Sequence, residues 1–418
     1  MRKPAVFAGR AVTGNGPFRR TVWLIPLRMN KENGFVPSMN GGGLESNMKF
    51  VSSRRIRNLF PGYIENYFSY QSAFSQILSM ISDTKYDCVL NLGNAKDGDI
   101  TPVNVVSALA GHQIASEQDP FYPLIAHCRA FSHEDLLQNP YYRDIRLEGC
   151  ELGNFRVASV IDRQFEVVLW NEVVCEKCGG LDSFVPCIGF WKDEPAPYYI
   201  LQDKEGNGWM SVTFNEIFTM QPAVDEAKGR VLTLGLGLGY YAYMAALKPE
   251  VESVTVVERN EGIIEFFKQK ILPQFGEAGA KIRVVQADAF EFMPAVKDGE
   301  YDFCFADIWN GLQEEKPFYA LRNLCGSSYR GMKMAYWLEN SFLGQVATGV
   351  KAVLMEGFAE AEQERTWLQL AISAKQLRDS GKYEFFAVAD KLMQDVVIRT
   401  MEDIEYYWEF ENIKKLCK

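Results

Sequence analysis

Val231-Leu232-Thr233-Leu234-Gly235-Leu236-Gly237-Leu238-Gly239-Tyr240 is the stretch on which the reading of this 418-residue chain turns. Its first four residues are apolar or β-branched, as a buried strand requires, and positions 240–247 carry the pattern of a helix. Between them stand three glycines at alternate positions. A strand, a glycine-rich turn and a helix make the front of a βαβ nucleotide-binding unit. The glycines let the backbone approach a ligand closely, and the free N–H groups at the helix start favour a negative group.

The sequence beyond the loop repeats the alternation. Val251-Glu-Ser-Val-Thr-Val-Val257 reads as a second strand with Glu258 at its C-terminal end. An acid about 20 positions past such glycines can accept hydrogen bonds from both hydroxyls of a ribose. Lys281-Ile-Arg-Val-Val-Gln286 reads as a third strand, closed by Ala287-Asp288-Ala289-Phe290, and Tyr301-Asp-Phe-Cys-Phe-Ala306 as a fourth, ending in Asp307-Ile308-Trp309-Asn310. Each acid therefore falls at the C-terminal end of a strand, the edge where open α/β sheets bind ligands. Any one of them alone would more often be a helix cap or a solvated loop residue.

The glycine spacing separates two nucleotide chemistries. The dinucleotide fingerprint G-x-G-x-x-G needs glycine at position 240, where this chain has Tyr240. G-x-G-x-G, with acids after the next three strands, resembles the class I S-adenosylmethionine (SAM) methyltransferase superfamily. That resemblance implies SAM as cofactor, with Gly235, Gly237, Gly239 and Tyr240 at its methionine part, Glu258 on the ribose, and Asp288 with Ala289 on the adenine. It also places Asp307 at the reacting centre, both against the cofactor and as the group that orients or deprotonates an acceptor. The stretch Trp209-Met-Ser-Val-Thr-Phe-Asn-Glu-Ile-Phe-Thr-Met220 ahead of the glycine strand is similar to the spermidine synthase branch, and Ser211 or Thr213 is suited to cap a helix along the cofactor. Aminopropyltransferases of that branch carry two further acids, where this chain has Leu238 and Asn310. The implied reaction is therefore methyl transfer to a small-molecule acceptor, an amine being favoured by the acidic chain. Aminopropyl transfer from decarboxylated SAM and a non-catalytic nucleotide-binding scaffold stand as alternatives. Trp309 and Trp337 are candidates for an aromatic wall facing a sulfonium or an amine.

The whole sequence narrows the rest. At 418 residues, 47% hydrophobic and 23% charged, it has the composition of a globular protein with two or three domains. A net charge of −10 makes nucleic acid a poor partner. No apolar run nears the ~18–20 residues of a membrane span, and the run at 22–27 is too short for a signal peptide. Nine cysteines in so long a chain indicate reduced thiols and a cytoplasmic setting. Cys175-Glu-Lys-Cys178 has no second pair to complete a four-ligand zinc site, and His112, His127 and His133 lack the spacing of a helical metal pair, so no metal is expected. A homodimer is compatible with all of this.

The expected fold class is α/β, a Rossmann-like class I methyltransferase domain with a mostly parallel sheet and helices on both faces. Residues 1–135 read as an N-terminal α/β region of unassigned function, with a basic first 60 residues, Gly41-Gly42-Gly43, a helix at 63–81, a strand at 86–92 and a helix at 102–110. Residues 136–204 read as a small antiparallel β segment, 205–345 as the SAM-binding domain, and 346–418 as a helical tail. A complete sheet of this kind ends in an antiparallel hairpin. Here 332–338 offers one strand, followed by helical pattern at 342–359, 362–380 and 382–395.

Overall fold

A computed structural model describes residues 48–82, 100–162, 166–362, 375–376 and 378–417. The basic segment before residue 48, the apolar run at 22–27, Gly41-Gly42-Gly43 and the strand expected at 86–92 lie outside the described residues, as does most of 362–380.

The C-terminal half holds a six-stranded sheet. Its order is Ile282–Gln286, Val251–Glu258, Gly229–Leu234, Phe303–Ala306, Met332–Tyr336 and Ser328–Tyr329. The first five strands are parallel and the two-residue sixth is antiparallel to its neighbour. Chain order runs outward one way from Gly229–Leu234 and then jumps to its other side, which makes a Rossmann-like switch point beside that strand. In-register pairing of Leu234 with Val257 and Ala306 puts the residues that follow, Gly235, Glu258 and Asp307, side by side at one edge. The central strands are buried on both faces: Val231, Leu232, Leu234, Val254, Val256 and Phe303 to Ala306 are almost inaccessible. That burial accounts for their continuous apolar runs.

The region before the sheet differs from the expected single antiparallel segment. It contains two sheets. Glu151–Leu152, Phe155–Val160, Tyr198–Asp203 and Gly208–Val212 form one, antiparallel throughout. Cys128–Phe131, Leu181–Trp191 and Val167–Cys178 form the other, in which Cys128–Phe131 runs parallel to Leu181–Trp191. The boundaries drawn from sequence fall within elements: residue 135 is inside the helix His133–Gln138, residue 204 is in the turn before Gly208–Val212, and residue 345 is inside the helix Glu339–Glu362.

The expected helices at 63–81 and 102–110 are present as Arg54–Ser82 and Pro102–Ala110, the first running through Pro61. Beyond the sheet the described residues are mostly helical. Glu339–Glu362 leaves the last parallel strand through Trp337 and Leu338 and packs on Val167–Cys178, Glu384–Met393, Met401–Trp408 and Phe410–Leu416. Trp408 stands edge-on to Phe60 and Tyr67 of the first helix. Val397–Ile398 pairs in parallel with Lys49–Phe50. No described helix is long and apolar enough to cross a membrane.

Candidate active site

A cavity of about 360 Å³ opens at the C-terminal edge of the parallel sheet, beside the switch point. That volume is within the range of small-molecule sites. Gly235, Leu236, Gly237, Leu238, Tyr240, Glu258, Asp288, Ala289, Asp307, Trp309 and Trp337 line it, whereas Gly239 does not and instead packs against Phe267 and Phe275. Backbone pairing builds this edge. The Gly235 N–H donates to the Val257 carbonyl at 2.9 Å, that of Asp307 to Leu234 at 2.8 Å, and that of Trp337 to Ala306 at 2.9 Å.

Gly235 is at φ +97°, and a Cβ there would collide with the Asp307 carbonyl oxygen. Only glycine lets the loop turn against the neighbouring strand. Gly237 is freer, with Met210 Sδ 3.7 Å from where its Cβ would stand. Gly239 caps the seven-residue helix Tyr240–Ala246. The Tyr240 ring lines the cavity, but its hydroxyl accepts from Asn139 Nδ2 at 3.0 Å, and Tyr141 donates to the Leu238 carbonyl at 2.6 Å. The loop is thus buttressed from behind by the short helix Pro140–Asp144.

Glu258 holds two backbone N–H groups, Asn260 at 2.8 Å and Leu236 at 3.3 Å. One carboxylate therefore ties the glycine loop to the end of the second strand while it faces the cavity. Asp288 caps Ala289–Phe292 by accepting from the Phe290 N–H at 2.8 Å. The cap and the cavity-lining position coincide in one residue. Asp307 is half-buried, and no side-chain hydrogen bond to it is present among the described residues. Burial, and secondarily the charge of Glu216, pushes its carboxyl well above the ordinary range.

Glu216 is the functional-looking residue that sequence reasoning did not single out. Thr213 caps Phe214–Glu226, and Glu216 completes the capping box, accepting from Thr213 N at 2.8 Å and from Ser211 Oγ at 3.0 and 2.9 Å. The signal was present as Thr-x-x-Glu, which ordinarily marks a solvated helix start. Here that start faces the cavity, and burial pushes Glu216 up to about 7. The Trp337 indole donates to Thr219 Oγ1 at 2.8 Å, which fixes one wall. Trp309 packs edge-on to Phe318 and Phe342, and its indole N–H is buried without a partner among the described residues. Leu238 is buried, and Asn310 is engaged by Glu314, with Nδ2 to Oε1 at 2.9 Å.

The remaining candidates lie elsewhere. Cys175 and Cys178 are free thiols at the end of a hairpin, pushed by burial up to about 12 and about 11. His112 pairs with Asp119 and His127 with Glu176, while the His133 backbone N–H donates to Asp193. None of these lines the cavity. No cluster of three metal-ligating side chains is present among the described residues.

Scanned against known protein families, the chain matches none, and no curated protein matches it. Solved structures match over part of it. Spermidine synthase from Thermotoga maritima is 14% identical over 35% of this chain and 57% of its own, at a TM-score of 0.25. A spermidine synthase in complex with the transition state analogue AdoDATO is 15% identical over 35% and 57%, at 0.24. TYW2 from M. jannaschii in complex with AdoMet is 14% identical over 32% and 55%, at 0.23. The chain thus spans little more than half the length of each. Likenesses at this level carry no weight for function, and the fold class rests on the strand order above.

Proposed function

We propose that this chain is a SAM-dependent transferase, with methyl transfer to a small-molecule acceptor as its reaction. One observation carries the reading: a glycine loop and acids from three successive parallel strands, legible in sequence as one nucleotide pattern, line a single cavity at the switch point. In this reading the loop from Gly235 to Gly239 runs under the methionine part, Glu258 accepts from the ribose hydroxyls, and Asp288 with the Ala289 N–H meets the adenine. Asp307 stands at the reacting end. The sulfonium is already activated, so alignment and a proton acceptor are what the protein must add. Methyl transfer is favoured over aminopropyl transfer because the two positions at which aminopropyltransferases carry further acids hold the apolar, buried Leu238 and Asn310, whose amide donates to Glu314. The eight described cysteines are free, in keeping with a cytoplasmic setting.

Calorimetric titration with SAM, S-adenosylhomocysteine and decarboxylated SAM tests the proposal. Saturable one-site binding of the first two supports it. A clear preference for decarboxylated SAM moves the reading to aminopropyl transfer, and no binding of any of the three overturns it.

A further inference from the structure

A second cavity, of about 570 Å³, is lined by the helix Arg54–Ser82, the segment 117–127 and the end of the hairpin that Val167–Cys178 forms with Leu181–Trp191. It shares no lining residue with the cavity at the sheet edge. We propose that it is a binding site for a small organic ammonium ion, held by the carboxylates of Glu117 and Glu176, the Tyr70 hydroxyl and the ring of Tyr122.

The walls are tied to one another by the protein's own bonds. Asn66 Nδ2 of the helix donates to the Gly179 carbonyl of the hairpin turn at 3.1 Å, and a Cβ on Gly179 would collide with the Asn66 amide. His127 Nε2 donates to Glu176 Oε1 at 3.1 Å and so joins the segment to the hairpin. The cavity is therefore a fixed feature of how these three elements pack, and its size suits a small organic molecule.

Its charge is one-sided. Glu117 has no ion-pair partner among the described residues and accepts from the Tyr122 hydroxyl at 3.5 Å. Glu176 meets only the His127 ring, which burial lowers below the ordinary histidine range, so the ring is neutral at pH 7 and the carboxylate charge stands. Lys177 is the one Lys or Arg among the lining residues, and its ammonium is occupied by Asp182 at 2.7 Å and Glu409 at 3.6 Å. The Cys178 thiol, pushed by burial up to about 11, keeps its proton and adds no charge.

Tyr70 points to the same ligand independently. It is 6% exposed and lines the cavity, and its hydroxyl has no hydrogen-bond partner among the described residues. A polar group at that depth is costly until something meets it. A phenol oxygen accepts from N–H as a carboxylate does, and the faces of Tyr70 and the exposed Tyr122 attract positive charge. An anion would meet two carboxylates and no free cation. A bare metal ion would find no three ligating side chains within reach among the described residues. The class that satisfies every wall is a protonated amine with N–H donors and an apolar body.

Calorimetric titration of the full chain with benzylamine, protonated at pH 7, and with benzyl alcohol, its neutral counterpart of near-equal size, tests the site. Benzylamine should bind saturably and at least tenfold more tightly than the alcohol. Glu117→Gln and Glu176→Gln should each weaken it roughly tenfold and leave the thermal melt unchanged, since both residues are exposed. Tyr70→Phe should weaken it several-fold. Equal binding of amine and alcohol overturns the ammonium assignment. Benzylamine binding that is unchanged in both Gln variants places the amine elsewhere and overturns the site, as does the absence of saturable binding. None of these outcomes bears on the transferase reading, which the titration with SAM tests by itself.

Discussion

Gly235 and Gly237 look alike in sequence and have different burdens in the structure. A side chain at 235 meets the Asp307 backbone, whereas at 237 it meets only the end of a methionine and bears the cost of a positive φ. Gly237→Ala should therefore cost about 1 kcal/mol, and Gly235→Ala should cost several times that and abolish cofactor binding. Paired thermal melts and SAM titrations of the two variants check this; equal losses would contradict the geometry. Glu258 has a double attachment, to Leu236 N and Asn260 N. Glu258→Ala is expected to weaken SAM binding tenfold or more, since both the ribose acceptor and the loop tether go, an estimate of about 1.4 kcal/mol or above. Unchanged affinity would remove the ribose assignment. At this scale the sequence was informative wherever local pattern sets the role. Glycine spacing and strand-end acids are local. The facing of Glu216 into the cavity is not, because Thr-x-x-Glu has the same appearance whether the helix start meets water or a ligand.

Among the elements, Phe214–Glu226 links stability to the site. Its capping box rests on Thr213, and Thr213→Ala should cost about 1 kcal/mol and lower the melting temperature by a few degrees. The same helix carries a cost in Glu216. Its folded-state pKa of about 7 lies above the value near 4.5 of a free glutamate, so the folded protein holds that proton more tightly than the unfolded chain. Stability from this group is whole below pH 4.5 and drains away as pH rises through 7. Glu216→Gln keeps the cap acceptor and removes the ionisation, so the variant should equal the unaltered protein near pH 4.5. At pH 8 it should exceed it by on the order of 1–2 kcal/mol, by denaturant titration. The parallel strands and the Thr213 cap were legible because buried runs and caps leave short-range marks. The pairing of Cys128–Phe131 with Leu181–Trp191 was not, since a four-residue strand takes its partner from distant packing.

For the whole molecule, the division into four sequence regions hides a joint. Glu339–Glu362 carries the chain from the sheet to the aromatic cluster of Tyr67, Phe184 and Trp408, in which the fully buried Lys351 sits over all three rings and donates to the Asp182 carbonyl at 2.6 Å. Burial lowers that lysine to about 8. Removing residues 396–417 would strip Trp408 and Phe410 from Phe184 and Tyr67 and take Trp408 off Phe60. The shortened chain should bind the dye ANS and lose its cooperative melt, whereas a native-like melt would show the tail to be dispensable. Periodicity marks such helices but not their docking, because an apolar stripe does not name the face that covers it.

The strand pairing of Lys49–Phe50 with Val397–Ile398 also sets a schedule for the cell. Arg55 and Glu402, which meet beside it, are 347 residues apart, so at about 5–20 residues per second a ribosome needs roughly 20–70 s to deliver the second after the first. For that interval Phe60 and Tyr67 of the helix Arg54–Ser82 have emerged without Trp408, although Val167–Cys178 and Leu181–Trp191 reach the same helix earlier. That end of the helix is then a client for whatever shields apolar surface during translation until Met401–Trp408 has been made.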